Sequence, residues 1–429
     1  MAAAKTIPGT SPVYEDYARC VHCGLCLNHC PTYRLWQLEA DSPRGRIRQM
    51  ILVNEGHSPL SSGFVDHIDK CLDCRSCETA CPSGVEYGKL VEHARARIEA
   101  EYQRPWFART ARHFVFERLL PFPRRIATTA KLLRFYQRSG LQSIARGTGI
   151  LKVLGLAQRE RLLPRIDDRF FFGELGKTFA ARGPRRGRVA FFAGCIANVA
   201  FSKLNEVTIR VLTANGCEVV VPDGQFCCGA LAAHAGMREA ARELARKNLQ
   251  AFAIKEFDAI VTNAAGCGST LKEYDQLFSP EEPEHALAAA FQSKVKDVTE
   301  FLAQLGLSAR LKQMPQRVTY QDSCHLLHGQ KVREAPRQLL QAIPGVEFVE
   351  LPYSDICCGS AGVYNVTQTE ASLELLGEKM EHARKTRAGV IATANPGCLL
   401  QLRAGAEIHK TGQEVLHVVE LLDRAIEKS

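Results

Sequence analysis

Eight cysteines near the front of the chain fall into two runs of the same order. CVHCGLCLNHCP sets Cys20, Cys23, Cys26 and Cys30 before Pro31, and CLDCRSCETACP sets Cys71, Cys74, Cys77 and Cys81 before Pro82. Thiolates this close together are soft donors that suit zinc or iron, or they pair as disulfides. In each run three cysteines can wrap one corner of a metal–sulfur cube, while the proline carries the fourth away.

A CxxCxxCxxxCP run is the spacing by which bacterial ferredoxins hold 4Fe-4S clusters, and the fourth cysteine of each run ligates the other cluster. One cluster is therefore assigned to Cys20, Cys23, Cys26 and Cys81, the other to Cys71, Cys74, Cys77 and Cys30. Zinc is the main alternative, but a structural zinc site usually reads as two separated CxxC pairs, four ligands in all. Here each run already supplies four. Disulfides fit less well: the total of 17 cysteines is odd, and MAAAKTIPGTSPVYEDY lacks the basic and apolar regions of a signal peptide, so reduced thiols are expected. His22 and His29 flank cluster cysteines, where an N–H donor to sulfur would raise a cluster's potential.

The elements that must position these sulfurs read as helices. Forty residues separate Cys30 from Cys71, too many for the short hairpins of a compact ferredoxin, and Pro31, Pro43 and Pro82 are expected to act as helix stops. Residues 1–101 are expected to form a helical two-cluster ferredoxin domain, with Ser42 to Arg46 as a turn and helix start. Arg44 and Arg46 suit either ion pairs within the domain or contact with a cluster or partner. Residues 102–187 are expected to form a basic helical linker. From Tyr102 to Arg188 there are 20 Lys and Arg against 5 Asp and Glu, a net +15, so the rest of the chain sums to −6 within a total of +9. With Trp106, Phe107, Phe114 and Phe116 interleaved, the segment is either a solvated helical layer or a contact for an anionic membrane surface or acidic partner. No recognised motif for nucleic acid accompanies the charge. No uncharged apolar run reaches the ~20 residues of a membrane helix.

The remainder is a duplication. RVAFFAGC ends at Cys195 and RVTYQDSC at Cys324; QFCCG holds Cys227 and Cys228 where DICCG holds Cys357 and Cys358; NAAGCG holds Cys267 where ANPGCL holds Cys398. The matched cysteines are offset by 129, 130, 130 and 131 residues. Apolar runs such as VAFFAG, CEVVVP and DAIVTNA alternate with helical windows, the pattern of a parallel sheet covered by helices. Residues 188–313 and 314–429 are therefore expected to be two Rossmann-like α/β repeats in a multi-domain α/β chain. Loops at the carboxyl ends of the strands would gather Cys195, Cys227, Cys228 and Cys267 in one copy, and Cys324, Cys357, Cys358 and Cys398 in the other. Cys217, with no counterpart (Val346), reads as a buried apolar cysteine. His325 and His328 read as helix-start histidines making ordinary hydrogen bonds, or as ligands or proton carriers.

Two ferredoxin-type runs followed by two CCG repeats resemble the layout of the iron-sulfur subunit of bacterial glycolate oxidase. CVHCG, CPTY, SPRGRI, CETACPSGV, CCGSAG and TANPGC at Thr393 to Cys398 look most like that branch. Similar subunits serve D-lactate and anaerobic glycerol-3-phosphate dehydrogenases, and the repeats recur in heterodisulfide reductase. The resemblance spans nearly the whole chain, the basic segment being its least specific part. It implies an electron-transfer subunit with no catalytic residues for the substrate. FAD-containing catalytic subunits would oxidise glycolate, and this chain would pass electrons singly through two 4Fe-4S clusters, and one or two more in the repeats, to the quinone pool. It further implies a place in the cytoplasm, peripheral on the inner membrane. The absence of a GxGxxG after an expected strand agrees with a flavin held elsewhere. A heterodisulfide-reductase-like thiol–disulfide oxidoreductase is the rival. The fullest form of the motif has a fifth cysteine, but Ala264, Asn395, Thr270 and Gln401 stand at the candidate positions. Four thiols per copy suffice for one cluster.

Overall fold

The structure is a computed structural model that describes residues 11–427. Residues 11–101 contain helices and no strand among the described residues. Pro31 and Pro43, expected as stops, instead each open a helix, Pro31–Trp36 and Pro43–Asn54, because a missing N–H costs nothing in the first turn. Ser42 caps the second of these, its Oγ accepting the Gly45 N–H at 3.0 Å. A Cβ on Gly45 would lie 1.8 Å from the Glu39 carbonyl oxygen, so only glycine fits. Helices Ser62–Asp69 and Tyr87–Glu101 close the domain, with Ile47, Met50, Ile68, Leu90, Val91 and Ile98 as its core. Arg46 lies inside this domain and donates to Asp41 at 3.3 Å, to Thr32 Oγ1 at 3.1 Å and to the His67 carbonyl at 2.7 Å. Arg44 pairs with Glu39 at 2.7 Å.

Helices follow: Trp106–His113, Phe114–Leu119 (a π-helix), the longer Pro123–Arg138, and the short Leu141–Gly147, Ile150–Val153 and Ala157–Arg161. In the early part of this layer Phe116, Leu120, Ile126 and Ala130 are buried in the main core, with Val115, Leu119 and Leu133 packed against it.

Two sheets build the rest. The first joins β1 (Thr178–Phe179), β2 (Gly187–Phe192), β3 (Cys217–Val220), β4 (Ala259–Thr262) and β5 (Val295–Asp297) in the order β1-β3-β2-β4-β5. All its neighbours are parallel except β1, which lies antiparallel to β3 through Thr178↔Val220. The two-residue β1 is too short to carry a periodic signal, and it was not expected. The second sheet is fully parallel: β6 (Gln316–Tyr320), β7 (Val346–Glu350), β8 (Val390–Thr393) and β9 (Glu414–His417), in the order β7-β6-β8-β9. The central strands β4 and β8 are buried at every residue, as strands covered on both faces are.

Both sheets place their first parallel strand between the second and the third. The connection reverses direction there, opening a crevice at the carboxyl ends of β2/β4 and of β6/β8. The closing helices Val298–Leu305 and Val418–Ala425 start alike, with Asp297 and His417 as caps and Glu300 and Glu420 completing each capping box. Arg210 and Asp423 pair at 2.8 Å across the copies, and apolar residues of both sheets share one continuous core.

Candidate metal centres

The first sulfur quartet sits at the surface of the helical domain. Cys20, Cys23, Cys26 and Cys81 line one small cavity with Gly24, Arg44 and Pro82. Gly24 has φ +86°, and a Cβ there would meet Arg44 Nη1 at 2.7 Å. Cys23 is exposed and its three companions are half-buried. Burial pushes the Cys26 thiol up to about 11.

The second quartet lies deeper. Cys30, Cys71, Cys74 and Cys77 are all buried and within electrostatic reach of one another. The Asp73 N–H donates to Cys71 Sγ at 3.3 Å and Tyr87 Oη donates to it at 3.7 Å; Thr32 Oγ1 lies 3.2 Å from Cys30 Sγ. Such donors offset negative charge on sulfur. Asp73 and Arg75 adopt left-handed backbone, φ +52° and +60°, which curls the ligand loop. Burial pushes Cys74 and Cys77 well above the ordinary thiol range, so thiolates here require a positive centre to offset them. Two sets of four converging soft donors fit iron–sulfur clusters.

In the repeats, each crevice receives its four cysteines. Cys195 follows β2, Cys227 and Cys228 follow β3, and Cys267 lies in the first turn of helix Ala265–Leu271 after β4. Cys195 Sγ is 3.3 Å from Cys227 Sγ, and hydrogen bonds continue through Cys228 to Cys267. The second copy repeats the series from Cys324 through Cys357 and Cys358 to Cys398. Donation from Cys195 and Cys228 holds Cys227 well below the usual thiol range, whereas the hydrogen bond with Cys357, together with burial, pushes Cys358 up to about 12 against a lowering contact with Cys398. The glycines of the two CCG motifs have φ +86° and +87°, and a Cβ at Gly359 would lie 2.5 Å from the Ser372 carbonyl oxygen. Asn395, at a candidate fifth-cysteine position, donates from Nδ2 to Cys398 Sγ at 3.5 Å. Gln401 is buried and bonded to Ser372 Oγ at 2.9 Å. Cys217 is fully buried in β3.

Helical domain and repeats meet at sulfur. Cys74 belongs to one apolar cluster with Cys324, Cys357, Leu72, Tyr364 and Leu375. Beside it lies a charged junction that the sequence did not announce. His234 Nδ1 is 2.8 Å from Glu92 Oε1 and 3.1 Å from Asp73 Oδ2. Arg75 reaches Glu92 at 3.3 Å and also pairs with Glu273, and Arg95 donates to the His234 carbonyl at 2.9 Å. Burial opposes the His234 charge, but its two carboxylates raise its pKa to about 9. The His325 ring, 5.0 Å away, is pushed by burial down to about 3. His328 bonds Thr79 Oγ1 at 2.9 Å and the Asp355 carbonyl at 3.0 Å.

Comparison with known proteins agrees with this geometry. Residues 16–85 match the 4Fe-4S dicluster domain family, residues 189–272 and 318–403 the cysteine-rich CCG domain, and residues 107–163 the linker region of the glycolate oxidase iron-sulfur subunit. A probable glycolate oxidase iron-sulfur subunit of Bacillus subtilis is 40% identical over 95% of this chain and 93% of its own length. The glycolate oxidase iron-sulfur subunit of Escherichia coli is 30% identical over 95% and 94%. Lactate utilization protein A of Oceanobacillus iheyensis is 31% identical over 55% of this chain and 96% of its own length. With sulfur quartets that fit multiple iron–sulfur clusters and full-length likeness to these subunits, the chain belongs to the glycolate oxidase iron-sulfur subunit family.

Proposed function

We propose that this chain carries electrons from a flavoprotein that oxidises glycolate to a membrane quinone, as a subunit peripheral on the inner membrane. Cys20, Cys23, Cys26 and Cys81 would hold one 4Fe-4S cluster and Cys30, Cys71, Cys74 and Cys77 the other. The quartets Cys195, Cys227, Cys228, Cys267 and Cys324, Cys357, Cys358, Cys398 would each hold a further one. Bound clusters supply single-electron acceptance and release, which splits a two-electron oxidation into steps. The chain's residues set the order and the environment. The exposed Cys23 marks the outer end. Asp73 N–H and Tyr87 Oη donate to Cys71, favouring negative charge on that sulfur. Leu72, Tyr364 and Leu375 exclude water around Cys74 and the second repeat's cysteines.

The observation that supports this reading is the packing of Cys74 with Cys324 and Cys357, which sets a sulfur of the second quartet against those of the second repeat. The test is iron analysis of anaerobically isolated chain, with co-purification of a flavoprotein from native cells. Removing the chain should abolish dye- and quinone-linked glycolate oxidation. The likeness to lactate utilization protein A favours one second reading, lactate as substrate of the complex; loss of lactate oxidation alone would select it.

A further inference from the structure

Taking the acceptor to be a lipid-soluble quinone, as above, we infer that the helical layer of residues 106–154 is the surface by which the chain docks on an anionic phospholipid bilayer. Helix Trp106–His113 has no buried residue. Trp106 (74% exposed), Phe107 and the following Phe114 all stand in solvent, the Trp106 and Phe107 rings 6.3 Å apart edge to face. Helices Leu141–Gly147 and Ile150–Val153 also bury nothing, and Val153 is 87% exposed. Helix Pro123–Arg138 turns Ile126 and Ala130 to the core and leaves Leu132 and Phe135 in solvent. Apolar exposure on this scale marks an interaction site.

The charge identifies the occupant. Residues 107–163 hold twelve Lys and Arg against two carboxylates, Glu117 and Glu160. Glu160 is buried, bound by Gln142 and Arg146, and Glu117 pairs with His113 at 2.9 Å. Arg109, Arg118, Arg124, Arg125, Lys131 and Lys152 have no carboxylate partner among the described residues. The centre of a protein interface is depleted of charge. Here cations and rings are interleaved, and Arg125 lies 4.2 Å over the Phe122 ring. A headgroup layer satisfies both, taking the cations at phosphate level and the rings at the acyl boundary. No helix among the described residues is long and apolar enough to cross a membrane, so access to a quinone in the bilayer calls for a face that lies on it.

The test uses the cluster-loaded full chain with vesicles of phosphatidylcholine alone, or with about one-third phosphatidylglycerol. Binding is read by flotation and by Trp106 emission in a Trp36→Phe background, since the chain has two tryptophans. Binding to the anionic vesicles is expected, with a blue shift and roughly tenfold weakening at ~0.5 M salt. Trp106→Ser with Phe107→Ser, and separately Arg124→Glu with Arg125→Glu, should each weaken it about tenfold and leave iron content and dye-linked electron transfer unchanged. No flotation with anionic vesicles, or undiminished binding by both double variants, overturns the proposal. Variants that keep vesicle binding but lose the flavoprotein also overturn it, because the face then belongs to a protein partner. Flotation needs no turnover, so its failure is distinct from failure of the electron-transfer reading, which would appear as missing iron.

Discussion

Glu92 of the helical domain and His234 of the first repeat lie 2.8 Å apart, with Asp73 on the imidazole's other side at 3.1 Å. This contact joins parts of the chain 142 residues apart. The two carboxylates hold His234 charged up to about pH 9, against an ordinary value of 6.5. Because the folded-state value is raised, its stabilisation is full below about pH 6.5 and is lost as pH rises through about 9. Arg75, Arg95, Glu273 and His325 also face this junction, and the arginines stay charged across that window. The urea midpoint of the wild type should therefore fall between pH 7 and 9.5. His234→Gln should lose on the order of 3 kcal/mol at pH 6.5 and show a flatter profile. An equally steep profile in the variant would refute the assignment.

Crossed ligation of the two runs predicts a particular pattern of iron loss. If Cys30 and Cys77 serve one cluster, Cys30→Ser and Cys77→Ser each remove about four iron atoms, and the double variant removes no more. Cys23→Ser combined with Cys30→Ser should remove about eight from the ferredoxin-type domain. Local pairing within each run gives the reverse result, so iron analysis of the two double variants decides between them.

Gly359 and Gly229 share a left-handed conformation but differ in the space around them. A Cβ at Gly359 would sit 2.5 Å from the Ser372 carbonyl oxygen, whereas at Gly229 the nearest atoms of Ala241 are 3.3 Å away. Gly359→Ala should cost about 3 kcal/mol or more and lower the melting temperature visibly, and Gly229→Ala about 1 kcal/mol from backbone strain. Thermal melts of the two variants should fall in that order.

The sulfur quartets were legible because their signals are local or duplicated. Four cysteines within eleven residues, Cys20 to Cys30, identify a ligand loop before any fold is known. The offsets near 130 residues reveal two copies of one unit, and buried strands such as Ala259–Thr262 announce a parallel sheet. Cys217 was recognisable as structural because its copy is Val346. What escaped depends on tertiary contact. His234 meets Asp73 across 161 positions, and no pattern in either segment encodes that meeting. The sulfur contacts show the same limit. His22 Nδ1 stands 4.0 Å from Cys20 Sγ, while the shorter contact to Cys71 comes from the backbone of Asp73, a donor that side-chain identity does not disclose.

Tyr87 supplies the last prediction. Its hydroxyl is buried and donates to Cys71 Sγ at 3.7 Å, a contact that favours the more negative, reduced state of a cluster bound there. Tyr87→Phe keeps the ring packed against the helical core and removes only that donor. The midpoint potential of the cluster assigned to Cys30, Cys71, Cys74 and Cys77 should fall by roughly 40 mV, the equivalent of about 1 kcal/mol for one electron. The other ferredoxin-type cluster should keep its potential, because its ligands Cys20, Cys23, Cys26 and Cys81 line a separate cavity. A redox titration followed by paramagnetic resonance distinguishes the two signals. No shift at the second quartet would place the Tyr87 hydroxyl outside its electronic environment, and an equal shift at both would refute a local effect of that donor.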